Sequence, residues 1–244
     1  MSPNLPGWKD IPLRGMVREK YGVDTFLVND ASAAALGEHR FGAGKGASNF
    51  IYLTVSTGIG GGIIVDGELY TGRCGSAGEV GHMTIAVNGL ECACGNTGCW
   101  ETLASGTAVA REAVKRIRNG EKSSVVDLVG GKIGEITAEK VGVAAQGGDP
   151  LAREVIATAA TYLGVGMVNL VNIFNPELII VGGGMAKLGD LLLDPARRLV
   201  GERAFPISAK AVRIVTAQLG DEAGVYGAAS LALGQKKGSR NEGS

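Results

Sequence analysis

The sequence has no excess of charge of either sign: lysine plus arginine number 24 and aspartate plus glutamate 24. No basic field is therefore available to hold a nucleic-acid backbone, and no nucleic-acid partner is expected. Nor is a secretion leader expected. Met1 to Trp8 has no basic and apolar stretch, which points to a cytoplasmic protein. There is no Walker loop, because Gly44-Lys45 is followed by Gly46 and lacks the upstream glycine. Nor is Gly182-Gly183-Gly184 a dinucleotide fingerprint, since its glycine spacing is wrong. Four cysteines in a chain with no export signal do not suggest a disulfide framework. One uncharged run, Val155 to Phe174, is long enough to span a bilayer. It carries Thr158, Thr161, Tyr162, Asn169 and Asn172, and is expected as a buried helix of a large domain, not a membrane span.

Glycine is what the chain has in abundance. Its 40 residues are more than twice the usual share of about 7%, and they cluster between apolar runs, where backbone passes close to a ligand. Residues 25–29 are expected as a short strand, feeding an alanine-rich helix over 31–39. Strands over 50–56 and 63–65 are separated by a glycine turn over 57–62, and a third strand is expected over 83–87. Helices follow over 101–119, 138–146 and 150–174. A buried strand over 178–181, a helix over 187–200, a strand over 212–215 and a helix over 222–233 close the chain. Strands first, then alternating helix and strand, predict a mixed α/β sheet covered by helices.

Four groups of residues carry chemistry. Cys92, Cys94 and Cys99 place three thiolates within eight residues, and His82 lies ten residues upstream. Three sulfurs and one imidazole make a closed, structural zinc site; Cys74 stands alone and reads as a small core residue. Asn29-Asp30 sits at a strand-to-helix junction. There Asp30 is either an N-cap or a carboxylate able to accept a proton from a substrate hydroxyl, and spacing alone leaves both open. The turn Ser56 to Gly62 holds more glycine than a chain reversal needs, as if backbone amides approached an anion. Glu79 and Glu101 flank the cysteine loop. They are either solvated or the carboxylates that a sugar's paired hydroxyls require. Trp100 is expected in the core.

Together these segments resemble the ROK family of sugar kinases and repressors, and most resemble its glucokinases. The match runs through Ser2 to Trp8, Asn29 to Glu38, Ser56 to Gly62 and Glu79-Val-Gly-His82. It continues through Cys92 to Glu101, Ala104-Ser105-Gly106, Asn175-Pro176-Glu177, Val181 to Gly184, Ala217 to Gly220 and Gly224 to Ala229. The resemblance implies an actin-like, RNase H-like ATPase fold and a hexose kinase that feeds carbohydrate metabolism and glycolysis. ATP with Mg2+ would be the donor, with a structural Zn2+ and a homodimer. In that reading Asp30 is the general base. Asn29, Asp30, Glu79, His82 and Glu101 hold the sugar, and His82, Cys92, Cys94 and Cys99 hold zinc. Thr57, Gly58 and Gly60 cradle phosphates, while Gly182, Gly183 and Gly184 lie against the adenosine.

Two departures stand out. The family's Asp-x-Gly-Gly-Thr phosphate loop is not found in these 244 residues, and Val28 stands where glucokinases often carry glutamate. The resemblance therefore implies an N-terminally truncated kinase of impaired activity. Residues 1–42 would be a remnant of the small domain, with the helix over 222–233 packing back on it. Residues 43–221 would form the large domain, and 235–244 a frayed tail. Kinases for N-acetylmannosamine, N-acetylglucosamine, mannose or fructose, or a non-catalytic sugar-binding regulator, are the alternatives.

Overall fold

The computed structural model describes residues 11–238; the Ser2 to Trp8 segment and most of the expected tail lie outside them. A first helix, α1 (Leu13–Tyr21), ends on Gly22 in the left-handed region. Residues 24–29 run without strand pairing into α2 (Asp30–Phe41). The strand expected over 25–29 is therefore not formed. No strand lies beside it among the described residues, so no ladder can form.

The sheet comprises β1 (Phe50–Val55), β2 (Ile59–Val65), β3 (Glu68–Leu69), β4 (Leu178–Gly182) and β5 (Arg213–Thr216), in the order β3-β2-β1-β4-β5. β1, β2 and β3 pair antiparallel, while β1, β4 and β5 pair parallel. This order and direction match the actin-like, RNase H-like fold that the resemblance implies. Between the strands lie α3 (Glu101–Ala104), α4 (Gly106–Arg118), α5 (Val125–Leu128), α6 (Ala138–Gln146), α7 (Pro150–Phe174), α8 (Asp190–Arg203), α9 (Pro206–Ala211) and, last, α10 (Ala223–Gly238).

The sheet is buried on both faces, which is why β1 and β4 are continuous apolar runs instead of alternating ones. Ile51, Leu53, Val55, Ile179 and Val181 face the larger core with α7, α8, α4 and α6. Phe50, Tyr52, Leu178 and Ile180 face a smaller core under α2. α7 is long and apolar enough to cross a bilayer, but Leu163, Met167, Leu170 and Val171 are fully buried against α8 and the sheet. Asp149 caps it through Ala152 N–H, Pro150 opens it, and Asn175, left-handed at φ 44°, ends it.

Several glycines have packing reasons. Gly60, Gly61 and Gly62 lie within β2, paired to Thr54, Leu53 and Tyr52. The expected hairpin turn is thus only Ser56 to Gly58. A Cβ on Gly62 would stand 2.5 Å from that of Ala35, so α2 lies directly on the strand. On the far side of α2, a Cβ on Gly227 would come within 1.6 Å of the Ala33 carbonyl oxygen, so the α2 and α10 backbones touch. The expected strand over 83–87 is replaced by a 3-10 turn, Val80–His82, and an isolated bridge from Thr84 to Cys99.

Candidate functional site

The helix expected over 101–119 is broken into α3 and α4 at Ser105, and the break builds the site. Ser105 is extended (ψ 169°), and its hydroxyl caps α4 through Ala108 N–H. The adjacent Gly106 N–H donates to the Ser56 carbonyl at 2.6 Å, and the Thr107 hydroxyl to the Thr57 carbonyl at 2.7 Å. The start of α4 thereby clamps the turn that joins β1 to β2. Behind it Trp100 is buried, its indole N–H donating to the Tyr162 carbonyl at 2.8 Å. Gly166 leaves room for this ring, since a Cβ there would lie 2.0 Å from it. Trp100 is a core residue, as expected.

His82, Cys92, Cys94 and Cys99 converge, with their donor atoms all within 4.8 Å of one another. Cys94 Sγ lies 3.7 Å from Cys99 Sγ, and Cys92 Sγ 3.7 Å from His82 Nδ1. Zn–S bonds of about 2.3 Å in a tetrahedron require donor separations of about 3.8 Å, so the residues fit a zinc ion. Burial pushes the Cys92 thiol up to about 12, with Glu101 as an acceptor adding to the rise. Burial raises Cys99 as well, whereas the Asn96 backbone N–H lowers exposed Cys94. Buried thiols of this kind ionise when a dication takes the place of their protons.

The carboxylate of Glu101 joins this cluster to the turn. Its Oε1 lies 3.2 Å from Cys92 Sγ and 3.7 Å from His82 Nδ1. Its Oε2 accepts from Ile59 N–H at 3.4 Å and sits 2.6 Å from where a Cβ of Gly58 would stand. Exposed Glu79 stands 3.9 Å from the other imidazole nitrogen, Nε2. Thr57, Gly58, His82, Glu101 and Arg111 share a polar cavity of 430 Å³.

Asp30 lies in a second cavity of 260 Å³, with Tyr52, Ser56, Gly183, Gly184 and Asp221. The N-cap of α2 is Asn29, not Asp30: its Oδ1 accepts from Ala31 N–H at 2.9 Å and Ser32 N–H at 3.2 Å. Asp30 is the first helical residue, its exposed carboxylate taking a bond, among the described residues, only from Ala31 N–H. That frees it for a ligand. The Tyr52 phenol beneath is pushed up to about 12, first by burial and then by the negative charge of Glu38, Asp30 and Asp221.

A third, largely apolar cavity of 760 Å³ opens between α6 and the residues after β4. It is lined by Ile136, Ala138, Gly142, Val143, Met185 and Leu188 among others. Gly184 borders both this cavity and that of Asp30, and Ser56 and Thr57 tie all three together. Gly183 is held at φ 83° against the Val55 carbonyl. Gly182 ends β4 against the Tyr52 ring, and Gly60 sits inside β2 against Ala31. Arg111, Asp221 and the apolar lining of the third cavity on α6 and after Gly184 were not singled out from the sequence. Small apolar residues on α6 carry no chemical signature until the fold brings them opposite Met185 and Leu188.

Other residues of the resemblance prove to be architectural. Glu38 is fully buried, accepting from the N–H groups of Ala43 and Leu219, each at 2.7 Å. Glu177 accepts from those of Ser48 and Asn49.

The ROK family profile matches residues 1–235. A glucokinase of Streptomyces coelicolor is 41% identical over 238 residues, covering 95% of this chain and 74% of that protein. A xylose repressor of Caldicellulosiruptor bescii is 37% identical over 233 residues, 96% of this chain and 58% of that protein. A ROK family glucokinase from Streptomyces griseus, solved in complex with glucose and AMPPNP, superposes with a TM-score of 0.87 at 39% identity. That superposition covers 96% of this chain and 76% of that one.

Proposed function

The chain belongs to the ROK family, and from that membership we propose that it transfers the terminal phosphoryl group of ATP to the 6-hydroxyl of a hexose, glucose first. The observation that carries this reading is the meeting of three cavities at one turn, Ser56 to Gly58. One offers a free carboxylate, one a polar lining beside His82 and Glu101, and one an apolar slot sized for a nucleoside.

In this reading Asp30 accepts the proton of the 6-hydroxyl as it attacks. Asn29 has its oxygen committed to the cap, which leaves its amide N–H groups for a sugar hydroxyl. Glu79 and Glu101 accept from the remaining hydroxyls. His82 turns Nδ1 to the cysteines and Nε2 toward Glu79 and the sugar. Thr57 and Gly58, with Gly60 behind them, line the phosphate path, and Gly182 to Gly184 border the nucleoside. Positioning and charge neutralisation dominate such in-line transfers, and Mg2+ arriving with the nucleotide would supply part of the latter. His82, Cys92, Cys94 and Cys99 would hold zinc with all four positions filled, a structural role that shapes the sugar pocket.

The same reading makes the protein a cytoplasmic homodimer and assigns 1–42 with α10 to the smaller domain and 43–221 to the larger. The packing of α10 on α2 is in keeping with that division, although α2 also shares a core with Phe50, Tyr52 and Ile64 of the sheet. It also carries the expectation that turnover by these 244 residues alone is impaired. The likeness to a xylose repressor favours a second reading, a sugar-binding regulator.

Incubation with MgATP and glucose, mannose, fructose, N-acetylglucosamine or N-acetylmannosamine separates the two. Sugar-dependent ADP with hexose 6-phosphate by mass spectrometry supports the kinase. Sugar binding with neither phosphoryl transfer to any of the five nor binding of magnesium AMPPNP supports the regulator.

A further inference from the structure

Where the Asp30 cavity and the apolar cavity meet, a single cation bridges them. Lys187 lies on the short 3-10 turn Gly184–Leu188 that follows Gly183. It lines the apolar cavity. Its Nζ lies 3.5 Å from Oδ2 of Asp221, which lines the other cavity beside Asp30. Among the described residues lining these two cavities, it is the only lysine or arginine; Asp30, Asp221 and Glu139 are the acids. A polyphosphate chain running from the apolar slot toward Asp30 would otherwise meet neutral backbone and negative side chains. The pair with Asp221 is an exposed one, with side chains 74% and 85% accessible, and pairs of that kind are weak and readily exchanged. The lysine stem is flexible, and its ammonium is a point charge that binds phosphate without demanding one geometry.

We propose that Lys187 is a donor-binding residue: it is parked on Asp221 in the free protein and passes to a phosphate oxygen when a nucleoside triphosphate enters between the two cavities. The inference rests on the phosphotransfer reading above. It goes beyond that reading in naming the cation on this chain that meets the donor, and in giving Asp221 the role of its resting partner.

The test is calorimetric titration of the wild-type chain, Lys187→Met and Lys187→Arg with magnesium AMPPNP and, separately, with adenosine. A lost charge-assisted contact predicts AMPPNP binding weaker by on the order of ten- to a hundred-fold in Lys187→Met. Adenosine binding should be unchanged, and Lys187→Arg should bind close to the wild type. Equal AMPPNP affinity in the wild type and Lys187→Met overturns the proposal while leaving the kinase reading intact. So does an equal loss for adenosine and AMPPNP, which would make Lys187 a wall of the nucleoside slot. A wild-type chain that binds neither ligand overturns the proposal and removes the kinase reading with it.

Discussion

Gly58→Ala separates the proposed sugar site from the stability of the fold. The added Cβ would stand 2.6 Å from Oε2 of Glu101, where carbon and oxygen approach no closer than about 3.3 Å. The carboxylate must therefore retreat by roughly 0.7 Å, giving up its contact with Ile59 N–H at 3.4 Å. Retreat toward the cysteines is obstructed, because Oε1 already lies 3.2 Å from Cys92 Sγ. Since the displaced atom is the end of a flexible side chain, the fold itself loses little. One charge-assisted hydrogen bond to a sugar hydroxyl is worth about 1.5–3 kcal/mol, so glucose affinity should drop by about ten- to a hundred-fold. The assay is titration calorimetry with glucose, accompanied by a thermal melt and zinc content on the same sample. A folded, zinc-loaded Gly58→Ala chain binding glucose as the wild type does would refute the placing of Glu101 in the sugar site.

Other perturbations address the base, the helix pair and a buried carboxylate. Asp30→Asn should lower kcat by about 10²–10⁴ while sugar affinity stays within a few-fold; steady-state kinetics beside calorimetry decides it. Gly227→Ala sets a Cβ 1.6 Å from the Ala33 carbonyl oxygen. It should cost about 3 kcal/mol or more in urea unfolding, since backbone, not side chain, must yield. Asp149 caps α7 and also accepts from Ser123 and Ser124, so Asp149→Ala should cost about 2–4 kcal/mol at pH 7. Burial would raise this carboxyl, but its hydrogen bonds outweigh that and hold it below the usual range. Its stabilisation is therefore complete above the unfolded value of about 3.9 and is lost as pH falls through the lower folded value. The deficit of Asp149→Ala relative to wild type should be constant near neutrality and shrink below about pH 4.

What the sequence made legible was local. Asp149-Pro150 and Asn175-Pro176 mark the two ends of α7 without reference to the rest of the chain. The spacing of Cys92, Cys94 and Cys99, with His82 ten residues upstream, marks a metal-shaped loop in the same way, and the structure brings all four to ligand distance. What stayed hidden depends on partners distant in sequence. Glycine signals a turn, so Gly60 to Gly62 read as one, and only their pairing with Thr54, Leu53 and Tyr52, beneath Ala31 and Ala35, makes them a strand. The break at Ser105 follows from Gly106 N–H going to Ser56, a contact that no window around Ser105 contains. Residues 25–29 have a strand's composition and no neighbour to pair with among the described residues. Asp30 was ambiguous as cap or base until Asn29 was seen to fill the cap. The apolar cavity proposed for the nucleoside was legible only at its edge, through Ser56, Thr57 and Gly184, because its walls on α6 are small apolar residues.

The cysteine–histidine cluster and Glu101 are proposed to form a zinc-supported sugar pocket beside Asp30. Titration with glucose, with zinc quantified on the same sample before and after chelation, tests it most directly. About one zinc per chain is expected, with glucose binding that disappears when the metal is removed and recovers when zinc is returned. Glucose binding of unchanged affinity in a folded, zinc-free chain would contradict it.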